Sequence, residues 1–427
     1  MENEIKNQTE EGVGSLKIEE PSNPLPDFKF EDLDPRLKEA VKKLGWDDLM
    51  LVQKKAMPYM MNAEDLIVQS KTGSGKTGAF ALPLSQIIET SVNLTQAMVL
   101  VPTRELAVQV HDEFQKLASS MGVRCTAIYG GVGYQAQLDA LKEGAHIVVG
   151  TPGRILDHLA KGHLVLDNLR DLVLDEADEM LSMGFYPDMK KISQYMPKDR
   201  CSYLFSATMP TTVKSLAMQF LRNPRELNLC TSSSTVAKMD RIFYKIKAMD
   251  KDQALLNILE IENPESAIIF CNTKKDVHYL YEFLSNRGIL VGELSGDITQ
   301  SLRERTLKSI KDQKIRFLVA TDVAARGIDI QGLSHVILYD HPADNETYVH
   351  RSGRTARAGN QGKAISLITD IEEISLNRVA ENYEITFIKK EYGIITNGII
   401  EVSMSCRQYF NHIFFDKCII AIFRISN

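Results

Sequence analysis

This sequence predicts an α/β protein of two tandem domains, each built on a parallel sheet, and three observations carry that prediction. Short apolar runs alternate with helix-like stretches along most of the chain. The same alternation starts afresh after Thr231-Ser232-Ser233-Ser234, a small polar stretch suited to a linker. Finally, 427 residues exceed what one hydrophobic core usually organises.

Residues 1–27 hold seven acids, two bases and three prolines without apolar periodicity, and are expected to form a flexible acidic tail. From Phe28 the pattern changes, and the first domain is expected over 28–230. The runs 66–69, 98–101, 147–150, 172–174 and 203–205 read as its buried strands. After a linker at 231–241, a second domain is expected over 242–391, with strands near 268–271, 317–320, 336–339 and 364–368. The halves echo each other. AMVLVPT ends at Thr103 and AIIFCNT at Thr273, while IVVGT ends at Thr151 and FLVAT at Thr321, so each half sets its two threonines 48 residues apart. This supports duplicated sheets with corresponding loops at their strand ends.

Composition excludes several classes. With 44% hydrophobic and 25% charged residues and a mean hydropathy of −0.16, the chain is not disordered, collagen-like or a disulfide-built mini-protein. Its six cysteines include no C-x-x-C pair, and none of its nine histidines is spaced with cysteine or acidic partners as a metal site. The start MENEIKNQTEEGVG has neither the apolar core of a secretion signal nor an arginine-rich address, so a cytoplasmic protein is expected. The net charge of −6 falls to about −1 without residues 1–27, so any contact with phosphates must come from a local groove.

The strongest chemical signal is SKTGSGKT, formed by Ser70, Lys71, Thr72, Gly73, Ser74, Gly75, Lys76 and Thr77. It follows an apolar strand and opens a helix, the context of a phosphate-binding loop: glycines admit phosphate oxygens to backbone N–H groups, and the helix N-terminus adds partial positive charge. Lys76 would reach the β- and γ-phosphates and Thr77 would hold Mg²⁺. Ser70 stands where the generic pattern has glycine. DLVLDEAD supplies the partner, with Asp175 and Glu176 at a strand end: one carboxylate organises Mg²⁺ through its waters, the other takes a proton from attacking water. Asp178 follows one step beyond.

With Gln53, PTRELA at 102–107, Gly130-Gly131, TPGR at 151–154, SAT at 206–208, Gln300 with Arg303, ATDVAARGID at 320–329 and HRSGRTARAG at 350–359, the chain resembles the DEAD-box family of ATP-dependent RNA helicases over about residues 28–385. The resemblance implies two RecA-like domains that trap ATP between them and close over single-stranded RNA. It implies that Gln53 reads adenine while Phe28 or Phe30 stacks on it, that Gly327 and Asp329 serve the nucleotide, Asp329 at the ribose hydroxyls, and that His350 joins Asp178, Ser206 and Thr208 in linking the domains. Arg354 and Arg357, three apart, are expected on one side of a helical turn as arginine fingers for the γ-phosphate. RNA contacts are expected from Pro102, Thr103, Arg104, Gly131, Thr151, Gly153 and Arg154 in the first domain and Thr273, Arg303 and Thr321 in the second. These groups suit phosphates and 2′-OH groups without reading bases.

ATP and Mg²⁺ are thus the implied cofactors and RNA the implied partner, for a monomer without a membrane role. Protein partners in RNA decay, ribosome assembly or translation also fit the resemblance, whose phrasing looks bacterial. An ATP-gated RNA clamp uses the same motifs and differs in turnover.

Residues 392–427 depart from the rest, with nine isoleucines and five charged residues in 36. They read either as a terminal strand and helix on the second domain or as an accidental extension, which the lack of period-2 or period-3.6 patterning favours. Deleting them is expected to preserve RNA-stimulated ATPase and to raise the soluble fraction on expression; a second domain that no longer folds would show the segment to be integral.

Overall fold

The computed structural model describes residues 18–71, 73–230, 239–325, 333–356, 361–383, 385–390, 394–396 and 399–401, the last two stretches as backbone. Among them the chain forms two compact units. The first gathers 18–230 together with 296–307 and 323–325, and the second holds 239–295, 308–322 and the residues from 333 onward. Two of these pieces, 296–307 and 323–325, were expected within the second domain, and they connect strands of its sheet.

Each unit is organised by a seven-stranded, wholly parallel sheet. The first comprises β1 (Leu66–Gln69), β2 (Ala97–Leu100), β3 (Cys125–Ile128), β4 (Ile147–Gly150), β5 (Asp171–Asp175), β6 (Cys201–Ser206) and β7 (Arg225–Asn228) in the order β3-β4-β2-β5-β6-β1-β7. The second comprises β8 (Met239–Lys245), β9 (Ala267–Phe270), β10 (Val291–Leu294), β11 (Phe317–Ala320), β12 (His335–Leu338), β13 (Gly362–Ile368) and β14 (Ile388–Lys390) in the order β10-β11-β9-β12-β13-β8-β14. Adding seven to each strand number of the first sheet gives the second. The duplication suggested by the paired threonines is therefore a duplication of topology.

Helices on both faces explain the apolar runs. On β1, Leu66 and Val68 join one core cluster and Ile67 the other; on β2, Ala97 and Val99 face one way and Met98 and Leu100 the opposite way. A strand buried on both faces must be apolar at every position, whereas a half-solvated one alternates. Burying a Leu, Val or Phe side chain contributes about 1.5–3 kcal/mol, so these double-sided strands supply much of each unit's stability.

Two boundaries differ from expectation. The acidic tail does not extend to residue 27: Glu19 and Asn228 exchange backbone hydrogen bonds of 3.0 and 2.9 Å, which covers part of the β7 edge. Ile18 and Leu25 pack on the first core, and Lys55 pairs with Glu20 at 2.6 Å and Asp27 at 2.7 Å, so the acids expected to solvate a tail are partly spent on a lysine. Residues 1–17 lie outside the described residues. The linker is also shorter at its far end, because β8 begins at Met239; residues 231–238 lie outside the described set. Of the 392–427 segment, only the antiparallel pairing of Ile394–Thr396 with Ile399–Glu401 is described. Among the described residues no helix is long and apolar enough to cross a membrane.

The second unit carries a buried ionic knot. Glu262, the last residue of the helix Lys251–Glu262, accepts from Lys363 of β13 at 2.6 Å, Lys390 of β14 at 2.8 Å and the Tyr244 hydroxyl of β8 at 3.3 Å. Burial opposes its charge, but the two ammonium groups win and hold the carboxyl down to about 2. A depressed carboxyl stabilises the fold above its unfolded value of 4.5 and loses that contribution as pH falls toward about 2. Glu262→Gln is expected to cost about 2 kcal/mol at neutral pH, the lysines being half-solvated, and to flatten the loss of stability between about pH 5 and 2. Urea midpoints at both ends of that range check it; coincident midpoints for the two proteins at pH 7 would refute it.

Candidate active site and nucleic-acid interface

Parallel strands bring all their C-terminal ends to one edge of a sheet, and the strand order then sorts the loops. In the first unit the neighbours β5, β6 and β1 lead into DEAD, SAT and the glycine-rich loop, while β3, β4 and β2 lead into Gly130-Gly131, TPGR and PTRELA. One half of the edge is thus a candidate nucleotide site and the other a candidate nucleic-acid site.

At the nucleotide half, Gly73 and Gly75 take positive φ of 79° and 92°, turning the chain so that the helix Lys76–Ile87 starts at the loop. Ser70, the departure from the generic pattern, is buried; its hydroxyl hydrogen-bonds that of Ser74 and closes the loop on itself. Its backbone N–H donates to Ser206 of β6 at 2.9 Å, and its carbonyl accepts from the buried Lys76 ammonium at 2.9 Å. Lys71 is exposed, Thr77 is partly buried, and Thr72 lies outside the described residues.

Asp175 ends β5, 3% exposed, and accepts from the Glu176 N–H at 3.0 Å. Burial pushes its carboxyl up to about 7, with Lys76 pulling it down and Glu176 pushing it up. Glu176 has φ 51° and ψ 51°, a left-handed turn that redirects the chain into the helix Ala177–Ser182. Asp178, in the first turn of that helix, accepts from the Thr208 N–H at 2.9 Å and its hydroxyl at 2.8 Å, while the Ser206 hydroxyl donates to the Thr208 carbonyl at 2.7 Å. DEAD and SAT are thereby one hydrogen-bonded structure.

Gln53 is 1% exposed: its carboxamide donates to the Gly75 carbonyl at 3.2 Å and accepts from the Met50 N–H at 2.8 Å. A carboxamide has two donors and two acceptor lone pairs, so one of each is left for a base edge. Phe30 belongs to the hydrophobic core at 6% exposure, with Lys38 over its ring. Phe28 is only partly buried, and its N–H donates to the carbonyl of Lys54, next to Gln53, at 2.9 Å.

At the other half, Pro102 and Thr103 are buried, and the Thr103 hydroxyl caps the helix Arg104–Ala118 by accepting from the Leu106 N–H at 3.2 Å. The Arg104 guanidinium packs closely against Gly131, where an added Cβ would come within 2.0 Å of its Nη1. Thr151 is buried ahead of the helix Pro152–Ala160, on which Gly153 is exposed and Arg154 partly buried.

The second unit repeats the arrangement. Thr273 follows β9 and caps the helix Lys274–Ser285 through the Asp276 N–H at 3.2 Å, and Thr321 follows β11, 8% exposed. Arg303 stands in the first turn of the helix Gln300–Lys311, partly buried and grouped with the first unit rather than the second. His350 is on the helix Asn345–Ser352, which ends at Gly353, and Arg354 stands in the turn beyond that helix. Arg357, Gly327 and Asp329 lie outside the described residues.

One residue of this region escaped the sequence reading. Arg351 is 2% exposed, and its guanidinium grips both carboxylate oxygens of Asp322 at 2.6 and 2.7 Å, the Asn272 side-chain oxygen at 2.7 Å and the Asp340 carbonyl at 2.7 Å. It thereby fixes the loops after β9, β11 and β12 together. The arginine-rich run gave no sign of which member was buried; the aspartate following Thr321 was the available hint.

A glycine-rich strand-to-helix loop facing a strand-end acidic pair defines the first unit as a nucleoside-triphosphate-hydrolysing domain of the P-loop class. The DEAD/DEAH box helicase model matches residues 50–216 and the helicase conserved C-terminal domain model residues 250–359. The ATP-dependent RNA helicase DbpA of Bacillus subtilis is 41% identical over 354 residues, 83% of this chain and 74% of that protein. CshA of Listeria monocytogenes, another ATP-dependent RNA helicase, is 42% identical over 83% of this chain and 68% of its own length. Among solved structures, S. cerevisiae Dbp5 bound to RNA and ADP BeF3 matches with a TM-score of 0.79 at 30% identity, over 84% of this chain and 94% of that one. Mss116p bound to ssRNA and AMP-PNP matches at 0.76 and 27%, over 86% and 81%. The chain belongs to the DEAD-box helicase family, and its two units are tandem RecA-like domains.

Gly131→Ala is expected to force the Arg104 guanidinium aside and to strain a backbone at φ 82°, weakening single-stranded RNA binding several-fold while leaving ATP affinity unchanged. Fluorescence anisotropy with each ligand separates the two; an unaltered RNA affinity would show that Arg104 takes no part in it.

Proposed function

We propose that this protein is an RNA-dependent ATPase that couples hydrolysis of ATP to local separation of short RNA duplexes or remodelling of RNA–protein complexes. The observation that carries this reading is the hydrogen-bonded unit of glycine-rich loop, Asp175, Glu176, Asp178 and Thr208 on three adjacent strand ends, with the Lys76 ammonium resting on the Ser70 carbonyl. Backbone N–H groups of the loop and the helix Lys76–Ile87 receive the phosphates, and Lys76 exchanges its carbonyl partner for phosphate oxygens. Glu176 takes the proton of the attacking water, and Arg354 with Arg357 meets the charge that develops on the γ-phosphate.

Thr77 and Asp175 would hold magnesium, largely through its waters. Asp175 fits that role because it is a buried hard-oxygen ligand whose carboxyl burial pushes up to about 7, so that a nearby cation would favour its ionised form. When bound, the ion neutralises charge on the β- and γ-phosphate oxygens. Gln53 and Phe28 receive adenine, and the strand-end groups at Arg104, Gly131, Thr151, Arg154, Thr273, Arg303 and Thr321 receive the sugar-phosphate backbone, which makes binding sequence-independent. The cysteines among the described residues are all free thiols, in keeping with a cytoplasmic setting.

Glu176→Gln is expected to bind ATP normally but hydrolyse it at least about 100-fold more slowly, because the amide keeps the shape and loses the base. Lys76→Ala should instead lose nucleotide affinity. Steady-state ATPase with and without RNA, beside nucleotide titrations, checks both; normal turnover by Glu176→Gln would overturn the assignment of the base.

A further inference from the structure

We infer that Gln137 is a positioning residue for RNA binding, which aims the Arg154 guanidinium and splints the Gly130-Gly131 loop to the TPGR helix, with the Tyr134 ring as its backing plate. The inference rests on Arg154 contacting RNA, as proposed above, and adds what makes that contact possible.

Gln137 lies on the helix Gln135–Glu143, 5% exposed, although an amide side chain there could equally have faced solvent. Its Nε2 donates to the Tyr129 carbonyl, immediately before Gly130, at 3.0 Å, and this fixes which way the carboxamide points. The oxygen is consequently turned toward the TPGR helix, where it accepts from Arg154 Nη1 at 3.3 Å and faces the wholly buried His158 Nε2 at 3.0 Å. Because an amide oxygen can only accept, Nε2 carries the imidazole proton. The carboxamide thus joins the end of the β3 loop to two side chains one helical turn apart.

Arg154 is held from two further sides. Its Nη2 donates to the Val132 carbonyl, one residue past Gly131, at 3.1 Å, and its guanidinium carbon sits 4.4 Å from the centroid of Tyr134. Lys161 in turn donates to the Tyr134 hydroxyl at 2.8 Å. Of five guanidinium N–H donors, the two bound to Gln137 and Val132 leave three for a phosphate. An arginine held in one orientation before binding loses less rotamer entropy than a free one, which is what a positioning residue contributes. With Arg104 packed against Gly131 and Arg154 bonded to Val132, the loop holds two arginines in place.

The test uses the full chain, a short oligouridylate and a non-hydrolysable ATP analogue, with RNA dissociation constants measured across a series of salt concentrations. Arg154→Ala is expected to weaken binding about 10-fold and to reduce the log–log salt slope by about 0.7, the loss of one phosphate contact on a single strand. Gln137→Met, equal in length but without the carboxamide, should give about half of that loss on a logarithmic scale and a shallower slope although Arg154 is present. The double variant should match Arg154→Ala alone, because Gln137 acts through Arg154. ATP affinity, which depends on the other half of the sheet edge, should stay unchanged in all three and reports that the unit is folded. If Gln137→Met fails that control, Tyr134→Leu, which removes the backing ring, carries the same expectation. Wild-type affinity and slope in the folded variant, or losses that add in the double variant, would overturn the positioning role. An Arg154→Ala protein that binds RNA like wild type would instead overturn the contact itself, and the inference with it.

Discussion

Parallel strands bring their C-terminal ends to one edge of a sheet, and most of the motif loops in this molecule are gathered by that constraint. Successive parallel strands must be joined by crossovers, so residues far apart in sequence meet where strands are neighbours in the sheet. The order β3-β4-β2-β5-β6-β1-β7 puts the loops after β5, β6 and β1 side by side although more than a hundred residues separate the first from the last. The same order, displaced by seven, places Thr273 and Thr321 in the half of the second sheet that corresponds to Thr103 and Thr151 in the first. A single topological plan used twice thereby gives each unit two corresponding groups of strand-end loops.

Many of the motif residues hold the scaffold as firmly as they could hold a ligand. Thr103 and Thr273 spend their hydroxyls as helix caps, Ser70 closes its loop on Ser74, and Gln53 ties the helix Leu51–Met61 to the glycine-rich loop. Asp178 and Thr208 join the loops after β5 and β6. Arg351 carries this furthest, with each of its three guanidinium nitrogens hydrogen-bonded inside the second unit. Preorganisation of this kind places the cost of ordering polar groups in the folding step, so that binding does not bear it again.

The sequence made the central strands legible and the edges obscure, for one physical reason. The β1, β2, β4, β5 and β6 strands are covered on both faces and read as uninterrupted apolar runs. The strands β3, β7, β10 and β14 are the edges of their sheets, and segments such as Arg225–Asn228 and Ile388–Lys390 have too few buried positions to announce a strand. β8, next to an edge, alternates between buried and solvated positions, and the linker expected at 231–241 takes in its first three residues. Among site residues, those defined by local grammar, such as Lys76 and Asp175, were visible because the strand, turn and helix around them lie within a few residues. Arg351 and Gln137 were not, because their partners are distant in sequence and nothing in a glutamine or an arginine announces burial. Phe28 and Phe30, two residues apart, cannot be told apart by local pattern, and the core takes Phe30 more deeply than Phe28.

Glu176 occupies the left-handed region at φ 51°, where glycine and asparagine are at ease and a glutamate costs about 1 kcal/mol. The turn itself is required, since it swings the chain from the end of β5 into the following helix. Selection for stability alone would therefore drift this position toward glycine, which relaxes the backbone and discards the carboxylate proposed above as proton acceptor. A library sorted only for thermal resistance should accumulate inactive proteins at this codon first, whereas the buried Asp175 beside it has an extended strand conformation and offers no such escape. On the role proposed for Glu176, the fold sets persistence against turnover at one backbone angle, and a screen that reads hydrolysis is what keeps the glutamate in place.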